Sequence, residues 1–136
     1  MALVLILDDD LGFVFWLGHA LATDFQPFPA PSVPEARKLL RRLRSKVDIL
    51  ILNPLVPGAA AFARSLRRKQ RRLVVIATVE NIEDLDAVLP EVNAARNKPT
   101  LLDEVAMTEW RQLVRQLLSS PRHRPRRASA SDGAGD

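Results

Sequence analysis

Three short apolar runs constrain the fold of this chain more than any other feature of its sequence. They are Ala2–Leu7 (ALVLIL), Ile49–Leu52 (ILIL) and Leu73–Ala77 (LVVIA). Each run is too short for a helix, and none alternates apolar with polar residues as a strand with one solvent-facing side does. Unbroken runs rich in Val, Ile and Leu are typical of parallel strands that are buried on both faces. The sequence therefore predicts a parallel β-sheet covered by helices on both sides.

Helical patterns lie between and after these runs. The motif SVPE over residues 32–35 is a capping box with proline in the first turn, which predicts the start of a helix. Further helices are predicted after Gly58, over about 82–89, and over 100–118, where Thr100 and Asp103 begin the last one. The residues predicted to face the core are Val33, Ala36, Leu40 and Leu43, then Ala59, Phe62, Ala63 and Leu66, and finally Leu102, Ala106, Leu113 and Leu117.

The segment 24–30 predicts a strand at the edge of the sheet. Pro27 and Pro29 are two residues apart, so both missing N–H donors fall on the same side of the strand. Alternating strands and helices indicate an α/β fold with right-handed crossovers. The doubly wound order 2-1-3-4-5 places the second strand at an edge, as the prolines require. A fifth strand is expected over residues 92–97 (VNAARN).

Composition assigns most of the chain to one domain. Residues 1–118 are predicted to form it, and residues 119–136, low in apolar side chains and rich in Pro, Arg and Ser, to form a disordered basic tail. The absence of cysteine excludes disulfides, thiolate metal sites and a cysteine nucleophile. No run approaches the roughly 20 apolar residues of a membrane helix, and the N-terminus lacks signal-peptide features. We therefore expect a cytoplasmic protein with no membrane partner.

Polar residues follow the predicted strands at their carboxyl ends. They are Asp8–Asp10 after the first run, Asn53 after the third strand, Thr78 after the fourth and Lys98 after the fifth. In a doubly wound sheet the ligand site lies beyond the carboxyl ends of the strands. We expect these side chains to converge on one edge of the sheet.

The same residues resemble the receiver domain of bacterial response regulators. Asp8 with Asp9, the segment DILILNPLVPG over 48–58, Thr78 at the end of VVIAT, and Lys98 before a proline occur in the order and at the spacing of that family. The resemblance covers about residues 2–118. It implies a single flavodoxin-like domain that takes part in two-component signal transduction or a phosphorelay and is not an enzyme.

The resemblance also implies roles for individual positions. Asp8 and Asp9 correspond to the acidic pair that holds Mg²⁺, Thr78 and Lys98 to the groups that contact a phosphoryl group, and Ala95 to the aromatic residue that reports the switch. The position of the phosphoacceptor aspartate is Asn53.

Asn53 argues against phosphorylation, because a neutral amide is a poor nucleophile and cannot form an acyl phosphate. Three further departures agree with this interpretation. Pro54 lacks a backbone N–H, Val79 would crowd the site where the family has a small residue, and Ala95 is not aromatic. The sequence thus predicts a degenerate receiver, a pseudo-receiver that acts through protein contacts. Phosphorylation of another acidic residue, Asp8 or Asp9, is an alternative.

No cofactor is expected to be required, although two carboxylates leave weak Mg²⁺ binding open. Replacing a third carboxylate by an amide removes much of the attraction for the ion. For Lys98, the preferred interpretation is an ion pair with Asp8 or Asp9 that neutralises the site, and the alternative is a phosphoryl contact.

The segment Leu11–Leu21 (LGFVFWLGHAL) is a helix without a charged residue. A helix on one face of a sheet normally has a polar outer stripe. Phe13, Phe15 and Trp16 either pack under the last helix and its Trp110 or form an exposed interaction face for a homodimer or another protein.

Charge is segregated along the chain. Residues 37–44 and 64–72 are basic, and residues 80–91 are acidic. A solvated surface, pairing with a partner, or weak nonspecific binding of nucleic acid by the Arg-rich helices and the tail would each account for the basic part. No recognition motif supports reading of a base sequence.

Overall fold

A computed structural model of the protein describes residues 1–80 and 92–119. Five strands form one sheet in the order β2-β1-β3-β4-β5, and all four strand pairs are parallel. The strands are β1 Leu3–Leu7, β2 Gln26–Ala30, β3 Ile49–Leu52, β4 Val74–Val79 and β5 Ala94–Asn97. The predicted doubly wound fold, strand order and edge position of β2 are confirmed.

Every residue of β1, β3 and β4 is buried, because helices cover both faces of the sheet. The helices in the described residues are α1 Leu11–Leu21, α2 Val33–Leu43, α3 Ala59–Lys69 and α4 Glu104–Ser119. Alternate residues of each strand point to opposite faces. Leu5 and Leu50 therefore belong to the core under α2 and α3, whereas Ile6 and Ile51 belong to the core under α1 and α4.

The helix starts follow local capping chemistry. The Ser32 hydroxyl accepts a hydrogen bond from the Glu35 amide at 3.3 Å, as the capping box predicts. The last helix begins later than predicted, at Glu104, because the Asp103 side chain accepts from the Ala106 amide at 3.0 Å and takes the cap position. Leu102 precedes this cap and is exposed, so its assignment to the core stripe is wrong.

Two predictions fall on residues outside the described ranges. They are the helix over about 82–89 and the tail after Ser119. Within the described ranges, no helix is long and apolar enough to cross a membrane.

Candidate functional site at the carboxyl edge of the sheet

Asp8 is the centre of a polar cluster at the carboxyl edge of the sheet. It follows β1 directly and is 2% exposed. Its Oδ1 accepts hydrogen bonds from the Asp10 amide at 3.0 Å and from the Asn53 side chain at 3.4 Å. Its Oδ2 lies 2.9 Å from the Lys98 ammonium. Both carboxylate oxygens are therefore engaged by groups of the chain itself.

Lys98 supplies the positive charge of this cluster. Its ammonium lies 2.9 Å from Asp8 and 3.4 Å from Asp10, and 5.0 Å from the centre of the Phe13 ring. The ion pair that was expected with Asp8 or Asp9 is formed with Asp8, and Asp10 is a second partner that was not expected. A cation over an aromatic face gains further electrostatic attraction.

The charge state of Lys98 follows from these contacts. Burial lowers the pKa of Lys98, but the contact and charge of Asp8, followed by those of Asp10, outweigh burial and raise the pKa above its usual 10.5. Stability from this shift is fully present below pH 10.5 and is lost as pH rises through the raised value. The lysine is therefore charged throughout the neutral range.

Asp10 is the site residue that the sequence interpretation did not single out. It is the N-cap of α1, and its Oδ1 accepts from the Phe13 amide at 3.2 Å. This hydrogen bond lowers the pKa of Asp10 and outweighs burial, which raises it, and the charge of Lys98 lowers the pKa further. An aspartate just before an apolar helical segment is a recognisable N-cap, which was the available signal. Asp9, between the strand end and the cap, is exposed.

Asn53 lies at the carboxyl end of β3, where the resemblance expects the phosphoacceptor. Its Oδ1 accepts from the Leu55 amide at 2.9 Å, which directs its Nδ2 toward Asp8. This side-chain-to-backbone bond two residues ahead is typical of an Asx turn. The amide thus closes the β3–α3 loop and bonds to Asp8.

Thr78 and Ala95 lie on the neighbouring strands. Thr78 is buried, and its hydroxyl donates to the Leu52 carbonyl at 3.3 Å, which satisfies a backbone group of β3. Ala95 is half-buried in β5. Val79, at the position where the resemblance expects a small residue, is buried at the end of β4.

The expected aromatic face of α1 is only partly exposed. Phe13 and Trp16 are buried in the core shared with α4, and the Phe13 ring packs edge-on against Trp110 at 6.0 Å. Their assignment to an interaction face is therefore wrong, because α4 covers them. Phe15 points away from this core and is 69% exposed.

The donor set of the cluster does not fit Mg²⁺. The ion needs free oxygen ligands in near-octahedral geometry. Asp8 is engaged by Lys98 and by two N–H donors, and the Asn53 oxygen is engaged by the Leu55 amide. Among residues 1–80 and 92–119, no group of three or more acidic, histidine or cysteine side chains is arranged to hold a metal. The cation that faces Asp8 is the Lys98 ammonium.

Response regulators and receiver domains are among the solved structures similar to this chain. The non-phosphorylated HemR receiver domain from Leptospira biflexa has a TM-score of 0.70 and 21% identity, over 93% of this chain and 100% of that one. The response regulator TrrA from Thermotoga maritima, in complex with Mg²⁺–BeF, has a TM-score of 0.65 and 20% identity, over 86% of this chain and 99% of that one.

The beryllofluoride-activated NtrC4 receiver domain dimer has a TM-score of 0.64 and 16% identity, over 87% of this chain and 97% of that one. No protein-family model and no curated protein matches the sequence. At these identities the likeness establishes the fold, which is the flavodoxin-like sheet of receiver domains.

Proposed function

We propose that this chain is a receiver-fold module of two-component signalling that acts through protein contacts, without phosphorylation of an aspartate and without a required cofactor. The observation that carries the proposal is Asn53. Its amide stands where the fold would present an attacking carboxylate, and both ends of that amide are hydrogen-bonded. An amide supplies no nucleophile for phosphoryl transfer, so the module has no catalytic step to perform.

The rest of the cluster supports the same proposal. Lys98 is held by Asp8 and Asp10, which removes it from the role of contacting a phosphoryl oxygen. Thr78 donates to a backbone carbonyl of β3. Lys98 and Thr78, which would contact a phosphoryl group, are thus each engaged by other groups of the chain itself.

The experiment exposes the protein to acetyl phosphate with Mg²⁺ and reads intact mass. We expect no phosphoryl adduct on the wild-type chain. An adduct on wild type would sink the proposal of phosphorylation-independent action. An adduct abolished by Asp9→Asn would establish the alternative acceptor, because Asp9 is exposed whereas Asp8 is enclosed.

Asn53→Asp is the matched variant for this experiment. It replaces the amide donor with a carboxylate facing Asp8, so without metal we expect unfolding free energy to fall by about 1–3 kcal/mol. Millimolar Mg²⁺ should raise the melting temperature of this variant and leave that of wild type unchanged. Equal stabilisation of both chains by Mg²⁺ would contradict the poor fit of the wild-type donor set.

The protein contact that we propose is a homodimer through the outer side of α1. Leu11 and Phe15 are one helical turn apart and are 57% and 69% exposed. Leu101 and Val105, at the start of α4, are also exposed. Because α1 and α4 both start at the carboxyl edge of the sheet and pack together, these apolar side chains lie at the same end of the helix pair.

Sedimentation equilibrium tests the dimer. We expect dimers at micromolar concentration for wild type and monomers for Phe15→Glu, because a buried carboxylate at the interface is unfavourable. Leu55→Glu is the matched control, since Leu55 is equally exposed but lies in the β3–α3 loop. A wild-type monomer, or a Phe15→Glu chain that still dimerises, would refute this contact.

A further inference from the structure

Two adjoining grooves on the side of the sheet covered by α2 and α3 carry positive charge. The first, of about 360 Å³, lies between the two helices and is lined by Arg37, Arg41 and Lys69 together with Leu40, Phe62, Ser65 and Leu66. The second, of about 400 Å³, shares Lys69 and lies where β3 and β4 begin, with Lys46, Arg71 and Arg72 in its wall. It is thus at the amino edge of the sheet, opposite the Asp8 cluster.

Six cations line these grooves and are hereafter called the basic surface. They are Arg37, Arg41, Lys46, Lys69, Arg71 and Arg72. All six are exposed, and within residues 1–80 and 92–119 none has a carboxylate within ion-pair distance.

Two acidic residues of the elements that form the basic surface, Glu35 and Asp48, are engaged elsewhere. Glu35, on α2, lies 4.0 Å from Lys38. Asp48, in the wall of the second groove, accepts a hydrogen bond from the Leu3 amide at 2.8 Å. The sequence of α3 contains no acid. Among the described residues, the basic surface therefore keeps an excess of positive charge.

Helix stability explains only part of this charge. Basic residues in the last turn of a helix interact favourably with its dipole, which accounts for Arg41 in α2 and Lys69 in α3. Lys46, Arg71 and Arg72 lie outside the helices, and Arg37 lies in the middle of α2. These four cations have no such structural role.

The lining of the grooves identifies the kind of ligand. A protein partner needs apolar anchors that fill pockets at the centre of an interface. None of the exposed large apolar side chains in the described ranges lies on α2 or α3, and the apolar residues of the first groove pack against the core. An extended row of arginine and lysine without exposed apolar side chains suits a phosphate backbone, because the guanidinium group matches phosphate geometry.

The residues that line the grooves also favour a double-stranded ligand over a single-stranded one. Proteins that bind single strands stack bases on exposed aromatic rings. The one aromatic residue of the grooves, Phe62, is buried, and the Arg37 guanidinium lies 5.9 Å from the centre of its ring. We propose that the basic surface docks the phosphodiester backbone of double-stranded nucleic acid without reading its base sequence.

The test is fluorescence anisotropy of the full chain with a labelled DNA duplex of about 20 base pairs over a range of salt. We expect micromolar affinity for two unrelated duplex sequences, and a plot of log affinity against log salt with a slope near −4 to −5, for about five phosphate contacts. Arg71→Gln/Arg72→Gln should make this slope shallower by about 2.

Two control chains make the result specific. Lys38→Gln/Arg96→Gln removes the same charge from exposed positions outside the grooves and should leave the slope within about 0.5 of wild type. The second control chain carries Gln in place of Arg122, Arg124, Arg126 and Arg127 of the tail. The proposal would be overturned if only the tail variant changed the salt slope, or if both double variants made the slope shallower by the same amount. It would also be overturned if the chain did not bind duplex at all. Competition by polyglutamate as effective as by unlabelled duplex would also overturn it, in favour of an acidic protein segment.

Discussion

The two ends of the parallel sheet treat charge in opposite ways. At the carboxyl edge, the Lys98 ammonium lies 2.9 Å from Asp8 and 3.4 Å from Asp10 and compensates one of these two carboxylate charges, and Asp8 and Lys98 are largely removed from water. At the amino edge, Arg71 and Arg72 are exposed and lack a carboxylate partner among the described residues. The first arrangement is satisfied from within, and the second is open to a ligand.

In this chain, the end of the sheet that is open to a ligand differs from the end at which doubly wound sheets usually bind one. In a doubly wound sheet, the carboxyl edge is the place where ligands bind. In this chain that edge carries an amide, Asn53, and its buried carboxylate, Asp8, faces the Lys98 ammonium. The basic surface is instead the part that can attract an anion, because its cations have no carboxylate partner in the described ranges.

The largest effect is expected from removing the internal cation. Lys98→Met leaves the Asp8 carboxylate buried without a positive partner, which should lower the free energy of unfolding by about 3–5 kcal/mol. Urea unfolding at neutral pH measures this loss. The double variant Asp8→Asn/Lys98→Met should be more stable than Lys98→Met alone, because it removes the uncompensated charge. If the stability losses of Asp8→Asn and Lys98→Met, each measured alone, add up to the loss of the double variant, the carboxyl edge is not a closed charge cluster.

A smaller effect is expected from Asp10, because half of its side chain is exposed and solvent screens its charge. Asp10→Asn keeps an N-cap side chain and removes only the charge, so we expect a loss below about 1 kcal/mol. Since folding lowers the pKa of Asp10, its contribution is present above pH 3.8 and is lost as pH falls through the lowered value. The stability difference between wild type and variant should therefore shrink below pH 3.8 in a series of urea titrations. A difference that is constant across this range would exclude the charge of Asp10 as its cause.

The smallest effect on stability is expected at the other end of the sheet. Arg71→Gln/Arg72→Gln should change the free energy of unfolding by less than about 0.5 kcal/mol, because neither side chain is buried or ion-paired among the described residues. Thermal unfolding at low salt provides the measurement. A loss as large as that of Lys98→Met would mean that the amino edge is also a structural cluster, and the contrast between the two ends would fail.

Most of the fold follows from local sequence patterns. The apolar runs of β1, β3 and β4 fill both cores, and the two prolines of β2 lie on the edge strand. The core positions predicted for α3 are all buried. These features depend on side-chain periodicity and on missing N–H donors, which neighbouring residues in sequence reveal directly.

The candidate site was predictable in part. The predicted strand ends identified Asp8, Asn53 and Lys98, whereas Thr78, predicted to follow the fourth strand, lies within β4. An ion pair of Lys98 with Asp8 or Asp9 was expected from charge compensation, and it is formed with Asp8. The choice of Asp10 over Asp9 was not expected, because it depends on which carboxylate the turn into α1 directs back over the helix start. Local sequence contains three adjacent aspartates, and only the backbone path distinguishes them.

Helix α1 also shows the difference between what local sequence predicts and what packing decides. Its composition could not separate a covered helix from an exposed one, because both have the same apolar residues. Packing of α4 buries Phe13 and Trp16 and leaves Phe15 outside.

The sequence by itself determined which segments become buried parallel strands, which strand takes the edge, and that position 53 carries an amide with no nucleophilic chemistry. Tertiary structure alone decided which acids pair with Lys98, which aromatics face solvent, and that cations from α2, α3 and two loops share one surface. The physical reason is the separation in sequence between the residues that determine each property. Periodicity and residue chemistry are local, whereas charge compensation and burial depend on residues that are distant in sequence and adjacent only after folding.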